Sequence, residues 1–165
     1  MFTFAPLIAP MPGSPPRAYS VRRSGIHGRG VFATRTIRKG TTIIEYRGQR
    51  TTWEIASERA APREDDPHHT FIFGLDDGTV IDAGVRGNAA RWINHSCAPN
   101  CDTYEDDEGR VFIESVRTIR AGEELTYDYM LNYDGQVGPR VRARYRCQCG
   151  ARTCRGSMLA PARRR

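Results

Sequence analysis

The side chains able to do chemistry gather in four short stretches of this chain. The last is Cys147-Gln148-Cys149-Gly150-Ala151-Arg152-Thr153-Cys154. Three thiols this close make most of a metal site. Structural zinc takes four ligands in a tetrahedron, so a fourth must come from elsewhere, with Cys97, Cys101 and the histidines as candidates. Cys147 and Cys149 stand one residue apart, an awkward spacing for a mutual disulfide. With five cysteines in all, metal ligation in a reducing compartment fits better than a secreted disulfide scaffold.

The second stretch runs from Asn88 to Cys101, and within it Asn94, His95 and Ser96 offer donors and acceptors in succession. That suits the grip of a polar cofactor, although a capped turn is the plainer reading. The third is Glu123 to Tyr129. On an extended strand Tyr127 and Tyr129 share a face, and their hydroxyls need partners if buried. The first is Ile26 to Phe32, where Gly28 and Gly30 let backbone approach a ligand closely. Without a third glycine opening a helix it is not a dinucleotide fingerprint.

These stretches need positioning, and the sequence between them reads as short strands broken by turns. Strands are predicted at 18–22, 31–34, 41–46, 71–75, 79–82, 101–104, 110–116 and 124–127. Asp77-Gly78 signals one hairpin, and the acidic tip Glu105 to Gly109 a second. Thr51 with Glu54 reads as a capping box opening a helix that carries Trp53, Ala56 and Ala60 on one face and stops at Pro62. A short helical turn is expected from Asn88 to Ile93. Many short strands with few helices predict a mainly β fold.

At 165 residues, 39% hydrophobic, the chain is long enough for one domain with a real core. No stretch approaches the roughly 18 apolar residues of a spanning helix, so no membrane partner is expected. The expected division is a disordered leader over 1–17, a main domain over 18–133, a flexible connector over 134–146, a metal motif over 147–158 and a basic tail over 159–165. The leader holds five of the ten prolines and no basic residue before Arg17. It therefore lacks the charged start of a signal peptide; a cleaved targeting segment is the minor alternative. The net charge is +6, and nine arginines with no acidic residue fall between Gly138 and Arg165. Such a tail attracts nucleic acid or an acidic protein face. Lys39 is the sole lysine against 24 arginines, through a GC-rich genome or through avoidance of self-modification.

Taken together and in this order, the stretches resemble those of the SET-domain protein lysine methyltransferases, nearest to the trithorax-like type with a post-SET zinc motif. The His27-Gly28-Arg29-Gly30 turn, Glu45-Tyr46-Arg47-Gly48, the Asn94-His95-Ser96-Cys97 run, Glu124-Leu125-Thr126-Tyr127-Asp128-Tyr129 and the final cysteines carry the resemblance, which covers roughly residues 19–156. It implies a SET-domain fold of short curled sheets with a carboxy-terminal pseudoknot, shaped by Arg91 and Asn94, and a small zinc-bound tail. Threaded chains are otherwise rare.

The resemblance also implies roles. The cofactor would be S-adenosylmethionine, held by His27, Gly28, Arg29, Gly30, Arg91, Asn94 and His95, with Gln148 and Arg155 close to it. Phe71 stands where the family usually has tyrosine, which keeps ring packing but removes a hydroxyl, and Trp92 replaces the common phenylalanine. Tyr129 would be the catalytic tyrosine, Tyr46 part of the lysine channel, and Tyr127 the switch residue that favours mono- and dimethyl products. Structural zinc would sit on Cys97, Cys147, Cys149 and Cys154, leaving Cys101 as a buried thiol.

Free lysine has a pKa near 10.4, and bringing its amine to the neutral, nucleophilic form at pH 7 costs about 4 to 5 kcal/mol. A dry channel beside a sulfonium favours that neutral form, and alignment supplies much of the remainder. A lysine-bearing basic protein is the expected partner, a histone H3 tail first. The expected location is intracellular: nuclear if eukaryotic, and cytoplasmic or directed to a host nucleus if bacterial. An inactive SET-like module that binds peptides or chromatin is the main alternative, and a nucleic-acid-binding protein the lesser one.

Overall fold

A computed structural model describes residues 17–60 and 71–161. Pro62 and all of the leader except Arg17 lie outside that range, as do the last four arginine-rich positions. Three small sheets form the domain. The first is β1 (Tyr19–Arg23), β2 (Arg29–Ala33), β10 (Glu124–Tyr127) and β7 (Asn94–His95), in that order. The second is β3 (Thr42–Tyr46), β9 (Val111–Ser115) and β8 (Cys101–Glu105). The third is β4 (Gln49–Thr51), β6 (Val80–Asp82) and β5 (Ile72–Gly74). The mainly β expectation and both hairpins are observed, with Gly78 and Gly109 at the left-handed positions their tight turns require (φ 82° and 71°).

Alternation drives the packing. In β9, Val111, Ile113 and Ser115 are fully buried while Phe112 and Glu114 are half-buried, the two-residue period of a strand with one face on the core. Val31, Ile93, Ile119 and Leu125 complete a single core with them.

Two local expectations are corrected. The helix α1 spans Trp53–Arg59 and is capped by Thr52, whose Oγ1 accepts the Ile55 N–H, whereas Thr51 ends β4. Only Ala56 of its apolar residues is buried; Trp53 is 57% exposed, because one short helix lying on β6 has a narrow inward stripe. The segment expected as a flexible connector instead carries α2 (Pro139–Arg144), with proline in its first turn. A turn of 3-10 helix at Ala89–Trp92 matches the expected helical turn, capped by Asn88.

The crossing that makes the fold is at β10. It pairs antiparallel with β2 and parallel with β7. The segment after β7 then grips it again: Ser96 N–H donates to the Tyr127 carbonyl at 3.1 Å. Asn100, which the sequence suggests only as part of a turn, donates through Nδ2 to the Glu124 carbonyl at 2.7 Å and accepts the Thr126 N–H at 2.9 Å. This is the knotted arrangement the resemblance implies. Asn100 is buried, so its amide replaces ladder bonds that water cannot supply. Replacing it by alanine orphans both backbone groups, and Asn100→Ala is expected to cost about 2 to 4 kcal/mol in urea unfolding; a change below about 0.5 kcal/mol would show that the clasp contributes little.

Candidate active site and metal centre

The turn between β1 and β2, which ends at Gly28, and the start of β2 at Arg29 are tied to β7 by one amide. Asn94 Nδ2 lies 2.8 Å from the Arg29 carbonyl, 3.2 Å from the His27 carbonyl and 2.8 Å from Glu124 Oε1. The amide nitrogen is thereby committed to the protein, and Oδ1 is left as the end that can accept from a ligand. Glu124 also accepts from Ser24 Oγ at 2.7 Å, while Ser24 Oγ accepts the Ile26 N–H. A Cβ on Gly30 would collide with the Glu124 carboxylate, so glycine here permits a close approach of turn and strand.

A cluster of rings stands at the other end of β10. Tyr127 and Tyr129 have ring centroids 4.9 Å apart, Tyr46 lies 5.3 Å from Phe73, and Phe73 lies 6.4 Å from Tyr127. The Tyr129 hydroxyl donates to the Ile93 carbonyl at 2.7 Å. Burial pushes the phenols of Tyr46, Tyr127 and Tyr129 above their ordinary range, so all three are neutral hydrogen-bonding groups at physiological pH.

His95 joins this cluster to the cysteines. Its Nδ1 accepts the Tyr129 N–H at 3.1 Å, which places the proton of the neutral ring on Nε2, 3.4 Å from Cys97 Sγ. Burial lowers the His95 pKa, opposed by Asp128 and aided by Arg155. Asp128 is met by Arg155 in a two-pronged ion pair of 2.6 and 2.8 Å. Burial works to raise the Asp128 pKa, but the Arg155 fork and the Met130 N–H outweigh it and hold the carboxyl below its ordinary range.

Cys97, Cys147, Cys149 and Cys154 come together with their sulfurs within 4.8 Å of one another. Cys97 Sγ is 3.7 Å from Cys147 Sγ and 3.9 Å from Cys154 Sγ. A tetrahedron with zinc–sulfur bonds of about 2.3 Å has edges of roughly 3.8 Å, so this donor set fits zinc in number, type and spacing. Burial would raise the Cys149 thiol, but the N–H groups of Cys97 and Ala151, with the Cys147 and Cys154 thiols, bring it down to about 6. Cys101 stands apart, 1% exposed, and burial pushes its thiol up to about 12.

The residues singled out in the sequence are thus largely assembled. Two fall elsewhere. Gln148 is exposed on the outer side of the cysteine cluster, lining a hollow of ≈ 550 Å³ with Arg146, Gly150 and Ala151. Arg91 packs against Phe71 and Trp92, 5.3 and 4.8 Å from their ring centroids, and donates to the Ala83 carbonyl. Phe71 meets Trp92 edge-on at 4.9 Å, so the two departures from the usual family residues touch each other. Phe73 and Glu124 were missed as site residues. Phe73 repeats Phe71 at the two-residue period, which was a usable signal; nothing local marks Glu124.

A mainly β domain of three small sheets carries a buried phenol cluster, a glycine turn pinned by one amide and a four-thiol cluster that could hold a metal ion. The chain belongs to the SET-domain family, whose pattern matches residues 28–130. It is 39% identical over 138 residues to histone-lysine N-methyltransferase trithorax of Drosophila virilis, covering 82% of this chain and 3% of that protein. It is 38% identical over 141 residues to histone-lysine N-methyltransferase 2B of Homo sapiens, covering 84% and 5%. The match to the H3 lysine-4 specific histone-lysine N-methyltransferase of Neurospora crassa is 39% over 138 residues, covering 81% and 10%. The chain therefore spans a small part of the length of these relatives. No helix among the described residues is long and apolar enough to cross a membrane.

Proposed function

We propose that this chain is a protein-lysine N-methyltransferase that uses S-adenosylmethionine, with a histone-like lysine-bearing tail as substrate. The observation that carries the reading is the meeting of Tyr46, Tyr127 and Tyr129 as neutral buried phenols beside the Asn94–His95 strand and its glycine turn. When bound, S-adenosylmethionine supplies an electrophilic methyl group. The backbone of His27 to Gly30, Asn94 Oδ1 and His95 would bind its polar parts, with the rings of Phe71 and Trp92 as an apolar wall. The cysteine-bearing tail would lie over it.

Tyr46, Phe73 and Tyr127 wall the channel for the lysine side chain. Its dry interior favours the neutral amine. Tyr129 donates its hydroxyl hydrogen bond to the Ile93 carbonyl, so its oxygen lone pairs remain to orient the amine. Transfer then follows from alignment. The Tyr127 hydroxyl narrows the channel and favours mono- and dimethyl products.

The cysteine centre takes structural zinc, and the domain division is 18–133 for the SET domain and 147–158 for the zinc motif, with α2 in the segment between them. Arg140, Arg142, Arg144, Arg146 and Arg152 are exposed there without an acidic residue from Gly138 onward, a surface suited to the phosphates of nucleosomal DNA.

Three measurements test these points. Purified protein should transfer labelled methyl to nucleosomes or a lysine peptide; Tyr129→Phe should lower kcat about a hundredfold or more, and Tyr127→Phe should shift the product toward trimethyl-lysine by mass spectrometry. Absence of transfer by the wild type would sink the assignment, and an unchanged product state in Tyr127→Phe would remove the switch role. The protein should carry one zinc per chain by emission spectrometry, and its removal or Cys147→Ser should cut activity by at least about tenfold; full activity of a metal-free protein would refute the zinc. DNA binding should weaken steeply with salt, with the slope reduced by about one for each α2 arginine replaced by glutamine; salt-independent or absent binding counts against the DNA surface.

A further inference from the structure

Asp128 stands between the two channel tyrosines, Tyr127 and Tyr129, and none of the chemistry above uses it. Its carboxylate is engaged from the tail, where Arg155 donates through Nη1 to Oδ2 at 2.6 Å and through Nη2 to Oδ1 at 2.8 Å. A two-pronged pair fixes the mutual plane of the groups as well as their distance. The side chains are only 27% and 22% exposed, so this is not a loose surface pair.

Both ends of the pair are anchored. Asp128 Oδ1 also accepts the Met130 N–H at 3.1 Å, and Met130 is left-handed at φ 45° although it is not glycine. The chain thus leaves β10 through a sharp turn that the Asp128 side chain braces. Arg155 follows Cys154, and its N–H donates to Cys97 Sγ at 3.4 Å. His95 Nδ1 lies 3.5 Å from Asp128 and accepts the Tyr129 N–H. The hydroxyl of Tyr129 is held by Ile93, its N–H by His95, and the turn that carries its Cα by the fork from the tail.

We propose that Asp128 and Arg155 are a positioning pair that sets where Tyr129 stands against the substrate amine, with the Arg155 guanidinium acting through Asp128 and not on the cofactor. This deepens the lysine-methyltransferase reading and rests on it. The pair lies outside the reacting atoms, so its effect is on alignment, where a displacement of about 1 Å costs on the order of a hundredfold in rate.

The test compares the wild type with Asp128→Asn, Arg155→Gln, Arg155→Lys and the Asp128→Asn/Arg155→Gln double variant. Steady-state kinetics on a lysine peptide are read together with the S-adenosylmethionine Kd by calorimetry and the metal content. Asp128→Asn and Arg155→Gln should each lower kcat about ten- to a hundredfold. The cofactor Kd should move by less than about threefold, with metal retained. The double variant should fall no further than the worse single one, because both changes break one contact, and Arg155→Lys should recover part of kcat.

A raised cofactor Kd with kcat intact would place Arg155 on the cofactor and overturn the proposal. So would multiplicative losses in the double variant, or loss of metal in Arg155→Lys, which would make the pair a fastening for the tail. A wild type that transfers methyl while every variant matches it sinks the pair alone; a wild type that transfers none sinks the underlying reading.

Discussion

The buried backbone of β10 is the constraint on which the rest of this structure depends. A strand enclosed on both sides must find a partner for each of its polar groups within the protein. β2 takes one side. β7, Ser96 and Asn100 take the other, the last with a side-chain amide where backbone pairing has run out. Satisfying that strand fixes where Asn94 and His95 lie, and therefore where the glycine turn and Tyr129 lie. Glycine turn, phenol cluster and thiol centre are neighbours because the same eight-residue grip, Asn94 to Cys101, serves all three.

Within this frame charge is arranged with restraint. The phenols themselves are neutral, and burial keeps them so, while Asp82 and Arg91 act on Tyr46 in opposite directions. Asp128 and Arg155 are matched tooth for tooth. Glu124 is engaged by Ser24 and Asn94.

Much of this was legible in the sequence because it is local. Asp77-Gly78 between alternating apolar residues specifies a hairpin whatever surrounds it, and Tyr127 with Tyr129 share a face on any extended chain. The thiols declare a metal site by spacing, with the family resemblance supplying Cys97 as the fourth ligand. What escaped depends on distant partners. Asn100 meets β10, Glu124 meets Ser24, and Arg155 meets Asp128 only once the chain has crossed itself, and no periodicity records that crossing. The two errors in α1 are of a different kind. Thr51 and Thr52 are chemically equivalent as caps, and the pairing of Thr51 with Val80 in β4 decided between them; the exposure of Trp53 follows from what α1 lies on, which its own sequence does not state.

The parallel pairing of β7 with β10 joins segments more than thirty positions apart, with the β8–β9 hairpin in the loop between them. Contacts of that separation form late, since the loop must close before they repay its entropy. Cys97 lies deeper still in this order, waiting for partners from Cys147 onward. On the ribosome, the hairpins can form while the final stretch is still in the exit tunnel. The thiol centre is completed only once Cys154 has emerged as well, so it closes after the hairpins are in place.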